Sequence, residues 1–184
     1  MKIKLVLRVF TAFLALSPLP ALAQSSAAQS SETGLAGCGA SGDKFVVKES
    51  RAQKPAEPEA GKAIVYFIEE DLNTQIVTHT TRAGIDGQWM GAAYGSSYFY
   101  FTVDPGLHHL CATTQIGSDT DDVLTAVAHF TAESGGVYYF EMKNVSMING
   151  AKEYTNDATL SPLDSDEGKY LTHSLPLVLS HPKK

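Results

Sequence analysis

The sequence predicts an all-β fold: an antiparallel immunoglobulin-like or transthyretin-like β-sandwich with one short C-terminal helix. Three observations carry this expectation. Short β-prone runs recur from Lys62 onward with turn residues between them, the pattern of a sandwich and not of alternating strand–helix units. "SSYFYFTV" (Ser96–Val103) alternates residue by residue, so Phe99, Phe101 and Val103 share one face and Tyr98 and Tyr100 the other. Only "SPLDSDEGKYLTHS", near the C-terminus, reads as a helix.

Residues 1–23 read as a signal peptide. Lys2, Lys4 and Arg8 make a positive start, Val9–Leu16 is apolar, and Ala21-Leu22-Ala23 fits a small-x-small cleavage site. The mature chain is expected to begin at Gln24. The apolar run is too short for a membrane span, and no later stretch is apolar for long enough. Residues 24–37 are expected to be a disordered polar tether, because "QSSAAQSSET" has nothing to bury. Residues 38–60 form an N-terminal segment with a short strand, "KFVVK" (Lys44–Lys48), and a spacer extended by Pro55 and Pro58. The sandwich domain is expected over 61–184.

Within that domain "KAIVYFIE" (Lys62–Glu69) is long and apolar enough for a central strand. "THTTRAGID" (Thr78–Asp86) is a weaker strand that ends in Asp86-Gly87, a hairpin signal because both turn positions need positive φ. Gln88–Gly91 starts the return strand. Pro105-Gly106 suits the centre of a type II turn before "HHLCATTQ" (His108–Gln115). "LTAVAHFTA" (Leu124–Ala132) and "VYYFEMKNV" (Val137–Val145) are the next strands, and Ser146–Thr159 reads as loose and polar. Asp164 or Ser165 caps the helix, with Glu167 in its first turn. "LPLVLSH" returns as an edge strand, since Pro176 cannot sit in mid-sheet.

The order of "GKAIVYFI", "AGIDGQWMG", "SSYFYFTVDPGLHHLCA" and "FTAESGGVYYFEMK" resembles a family of bacterial exported proteins known as domain of unknown function 2846. The resemblance covers Gly61 to about Lys143 and, more loosely, "LDSDEGKYL". It implies a small envelope sandwich and an exported location. It implies no activity, so no catalytic residue is carried over.

Charge excludes some partners. The chain has 14 basic and 20 acidic residues, a formal net charge of −6. The leader removes only basic residues, so the remainder is more acidic still. An acidic chain without a basic run is unsuited to nucleic acid or to anionic lipid heads.

Cys38 and Cys111 are the candidate site with most weight. Both would reach an oxidising compartment, and there are only 2 cysteines, so a Cys38–Cys111 disulfide is the leading reading. "GLAGC" (Gly34–Cys38) also resembles the box cut before a lipid-modified cysteine, which would make the chain a lipoprotein anchored through Cys38. Against that, a polar stretch with Glu32 separates Cys38 from the apolar core of the leader. Two free buried thiols are the third reading.

Other constellations are thinner. His109 and Cys111 face one side of a strand, and His79 and His129 lie on other strands. A metal-binding or redox-active protein using His109, Cys111 and Cys38 is therefore the alternative function, although no paired metal-ligand spacing such as C-x-x-C or H-x-x-x-H is present. "SDTDD" (Ser118–Asp122) and "DSDEG" (Asp164–Gly168) do not fit a calcium loop and are expected to be a solvated loop and a helix start. There is no G-x-S-x-G elbow, and Ser41-Gly-Asp-Lys44 lacks the partner motifs of an S-x-x-K enzyme. Trp89, Tyr94, Tyr98 and Tyr100 are the candidate binding face, for an envelope protein, a peptide or a glycan. The sequence thus predicts an exported, periplasmic or secreted, non-catalytic binding or structural module, with no cofactor assigned.

Overall fold

The computed structural model describes residues 35–50, 57–70, 80–115, 123–148 and 154–184. In chain order they form β1 (Phe45–Glu49), β2 (Ala63–Glu70), β3 (Thr80–Ile85), β4 (Gln88–Tyr94), β5 (Ser97–Val103), β6 (Gly106–Gln115), β7 (Thr125–Ala132), β8 (Val137–Ile148), β9 (Tyr154–Leu163), α1 (Ser165–Ser174) and β10 (Val178–Pro182).

Two four-stranded sheets face each other, ordered β5-β2-β8-β9 and β4-β3-β6-β7. Their inner faces meet in one core. Val65 and Phe67 of β2, Phe99 and Phe101 of β5, and Phe140 and Met142 of β8 pack against Ala83 and Ile85 of β3 and Leu110 and Ala112 of β6. The two sheets divide the volume unequally: aromatic rings from one fill the space left by alanines on the other. The all-β sandwich, with a single short helix among the described residues, is therefore as the sequence predicts. One pair departs from the antiparallel pattern. β2 runs parallel to β8, from Ile64↔Val137 to Glu70↔Lys143. The chain leaves β2, builds β3 and β4 in the facing sheet, and returns through the sandwich before β8 is laid beside β2.

β2 is buried along nearly its whole length because both of its faces are covered. The inner face meets the other sheet. On the outer face Ile64, Tyr66, Ile68, Tyr98 and Tyr139 pack together with Leu177, and Leu171 and Leu175 lie against them. α1 brings this cover into place. Asp164 caps it by accepting from Asp166 N and Glu167 N, as the sequence predicts.

The expected hairpin is present, with Asp86 at φ 49° and Gly87 at φ 85°. Pro105-Gly106 is a bend and not a type II turn: Gly106 has φ 144°, and the Asp104 carbonyl is bonded to the His108 ring at 2.7 Å.

Three expectations need correction. The region from Ser146 to Thr159 is not loose throughout: β8 continues to Ile148, and β9 pairs with it over its whole length. Polar residues alternate there with Ala158 and Leu160, which reach the core, so an edge strand with one wet face looked like a loop. "LPLVLSH" touches the edge of a main sheet only at its start, where Leu177 bridges Tyr98 of β5 and the Pro176 carbonyl accepts from Tyr98 N. β10 pairs with β1 in a small sheet of its own, which plugs the β4/β5 side of the sandwich with Val178 and Val47. Ser180 Oγ accepts from Ala92 N at 2.9 Å to hold it there. Finally, the tether does not run to residue 37, because Gly37 is buried.

Gly168 is where α1 touches the sheet. A Cβ built there would lie 2.2 Å from Cγ of Tyr139. In an exposed helix Gly→Ala is favourable by about 1 kcal/mol. Here the sign reverses, because the methyl group must lift the helix from the ring. Gly168→Ala is expected to lower the denaturation midpoint. An unchanged or raised midpoint contradicts this packing.

Candidate functional site

The outer face of the β4-β3-β6-β7 sheet carries the N-terminal segment, and close backbone approach makes this possible. Gly84 of β3 stands opposite Cys111 of β6. A Cβ on Gly84 would lie 2.8 Å from the Gly37 carbonyl, and one on Gly37 would lie 2.5 Å from the Leu110 carbonyl carbon. Side chains at either position would push the segment off the sheet. Between these contacts Cys38 is bonded to Cys111, with Cα atoms 5.0 Å apart and both residues at 0% exposure. The pattern that resembles a lipid-attachment box is thus the pattern this contact requires: a small residue to approach the sheet, then the cysteine. A sulfur already bonded to Cys111 has no valence for a lipid thioether, so anchoring through Cys38 and this bond exclude each other.

Three side chains fix the segment further. Arg82 of β3 donates to the carbonyls of Ser41 (3.0 Å) and Asp43. Burial lowers the guanidinium pKa, with the Asp43 charge opposing. Its Cζ lies 4.4 Å from the Trp89 ring centre, and Trp89 Nε1 donates to the Ala40 carbonyl at 2.7 Å. Gln115 clasps the start of β1, accepting from Phe45 N and donating to Phe45 O. A β-bulge places Trp89 on this face. The β3/β4 register shifts at Ala83/Gly84, so Gly91 faces Ala83 while Trp89 faces Gly84. Arg82 and Gln115 were not among the sequence candidates. A lone cation in the small, apolar stretch "TTRAGI" was the available signal.

The candidate binding face does not assemble. Tyr98 and Tyr100 are on β5, whereas Trp89 and Tyr94 are on β4 of the other sheet. Tyr98 is 3% exposed beneath the α1 cover, Tyr100 38% and Tyr94 53%. Tyr66, which was not a candidate, is the centre of the cluster: it stacks on Tyr139 at 5.0 Å and contacts Tyr98 and Tyr100. Burial raises the Tyr98 and Tyr139 hydroxyls above their ordinary pKa. These rings act as a second core.

The metal constellation is also changed. Cys38 and Cys111 are spent on each other, so neither is a thiolate ligand. His79 lies outside the described residues. His109 and His129 remain, cross-strand partners with ring centres 6.5 Å apart. Among the described residues, no group of three or more His, Cys, Asp or Glu side chains converges.

His108 faces a different set of partners. Its Nδ1 is 2.6 Å from Asp86 Oδ2 and its Nε2 is 2.7 Å from the Asp104 carbonyl. Asp86 Oδ1 also accepts from His109 N, and Asp104 pairs with Lys62 at 2.6 Å. Both ring nitrogens are committed, so this imidazole is a brace and has no lone pair for proton abstraction. Within β8, Glu141 is buried at 2% exposure and pairs with Lys143 at 2.8 Å. Burial raises the Glu141 carboxyl even against that cation.

Burial opposes the charged form of His108, but the bonds and charges of Asp86 and Asp104 outweigh it and raise the pKa. The charged ring therefore adds stability in full below its unfolded pKa, about 6.5. That contribution is lost as pH rises through the higher folded value. Thermal midpoints measured from about pH 6 to about pH 9 should show this loss in the wild type and less of it in Asp86→Asn, which keeps the turn and an acceptor for His109 N. Equal slopes in both proteins would refute the brace.

Compared with protein-family models, curated proteins and solved structures, the chain matches none.

Proposed function

We propose that this chain is an exported protein of the cell envelope that acts as a non-catalytic binding or structural β-sandwich module. The observation that carries the reading is the buried Cys38–Cys111 bond. Such bonds form and persist in oxidising compartments, and the leader-like residues 1–23 supply a route to one. The resemblance of its motif order to an exported family points to the same location.

The polar groups support a non-catalytic role. Arg82 and Gln115 bind backbone, His108 braces a bend, and Glu141 is held under the α1 side of its sheet. None is presented in an open arrangement of nucleophile and base. No helix among the described residues is long and apolar enough to cross a membrane. The partner class is an envelope protein, a peptide or a glycan.

Intact mass and cell fractionation test this. Expressed from its full gene in a bacterial host, the chain should appear outside the cytoplasm, start at Gln24, carry no acyl group and gain two hydrogens on reduction. A chain starting at Cys38 with acyl chains, or an uncleaved cytoplasmic chain, overturns the reading.

A further inference from the structure

We propose that His109 and His129 form a chelating site for a divalent transition-metal ion on the open part of the β4-β3-β6-β7 outer face. The register brings the two rings together. His109 pairs directly with His129 across β6 and β7, between the pairs Leu107↔Thr131 and Cys111↔Val127. Directly paired residues on antiparallel strands project from the same face with Cβ atoms about 5 Å apart. The rings are exposed, tilted 43° to each other, with centres 6.5 Å apart.

Two imidazoles sharing one tetrahedral ion at bond lengths of about 2.0–2.1 Å have ring centres roughly 5 Å apart. Side-chain rotation of two exposed rings closes that gap without moving a strand. Both strands are held in place beneath: Cys111, two residues along β6, is bonded to Cys38, and Ala112 and Ala126 are in the core. The site is therefore a rigid pair of backbone positions carrying two adjustable donors.

Neither imidazole makes a hydrogen bond among the described residues, in contrast to His108, so a nitrogen of each is available. Leu107, 61% exposed, and Val127, 55% exposed, flank the pair along its own strands with apolar surface. Imidazole donors select Zn(II), Cu(II) and Ni(II) over Mg(II) or Ca(II). Two protein ligands leave the remaining positions to water or to an incoming donor. The site uses no cysteine, so it is compatible with the intact disulfide, and it holds whether or not the module also has a protein partner.

Zn(II) alone is the probe. It is titrated into the oxidised chain by calorimetry while imidazole nitrogen shifts are followed by NMR. One ion should bind per chain, with the His109 and His129 signals moving together. His109→Gln and His129→Gln should each weaken binding by roughly tenfold or more. His173→Gln, on α1, and His181→Gln should leave it unchanged. Metal-free thermal midpoints of the variants check folding, and the wild-type shifts test the site without any substitution. Absence of binding at millimolar Zn(II), shifts at other histidines only, or unchanged affinity in the His109→Gln/His129→Gln double variant would overturn the proposal.

Discussion

The Cys38–Cys111 bond determines how much of the chain belongs to the fold. It joins residues 73 apart and ties a short glycine-rich segment to the middle of a sheet. A loop of that length loses about 4 kcal/mol of unfolded-state entropy in the chain-entropy picture. The bond also sets where everything nearby sits. Once Cys38 is fixed, Gly37 and Gly39 fall against the Leu110 backbone and the Trp89 ring. Arg82 and Gln115 can then take up the carbonyls and amide that follow, and β1 is delivered to β10. Without the bond, Arg82 would lose its backbone acceptors while remaining a charged residue on the face of a sheet.

A sandwich buries the inner face of each sheet and leaves two outer faces to be dealt with. This chain covers one of them with α1 and much of the other with its own N-terminal segment. The first cover explains why β2 is apolar on both sides and why Tyr66, Tyr98 and Tyr139 pack ring against ring on its outer surface. The second explains a buried cation and a run of glycines in a β protein. Among the described residues, the β6–β7 side with its two paired, exposed histidines remains open. Arg82, Gln115 and His108 are committed to architecture, each bonded to backbone.

Much of this was legible in the sequence. Alternation in "SSYFYFTV" placed Phe99 and Phe101 inside, and Asp86-Gly87 marked the hairpin, because each rests on local backbone rules. The disulfide was the leading reading because only 2 cysteines follow a start that reads as a leader. Tertiary effects hid the rest. The bulge at Ala83/Gly84 moved Trp89 to the face opposite to the one its parity with Gly91 and Ala93 suggests. α1 buried Tyr98, so alternation identified its face but not its exposure. β9 was missed because an edge strand needs only Ala158 and Leu160 to be apolar, too few to stand out from a loop. The parallel β2/β8 pair is a long-range choice that no local signal encodes.

Hydrogen exchange of the oxidised and reduced protein, resolved by segment, tests most directly whether this one bond holds the N-terminal cover in place. Reduction should abolish protection in Leu35–Glu49 and weaken it in β10, while β2, β5 and β8 stay protected. Unchanged protection of Leu35–Glu49 would show that the bond is not what holds the segment. A loss spread evenly over both sheets would show that the cover is not separable from the sandwich, and either result would contradict the role given to Cys38–Cys111.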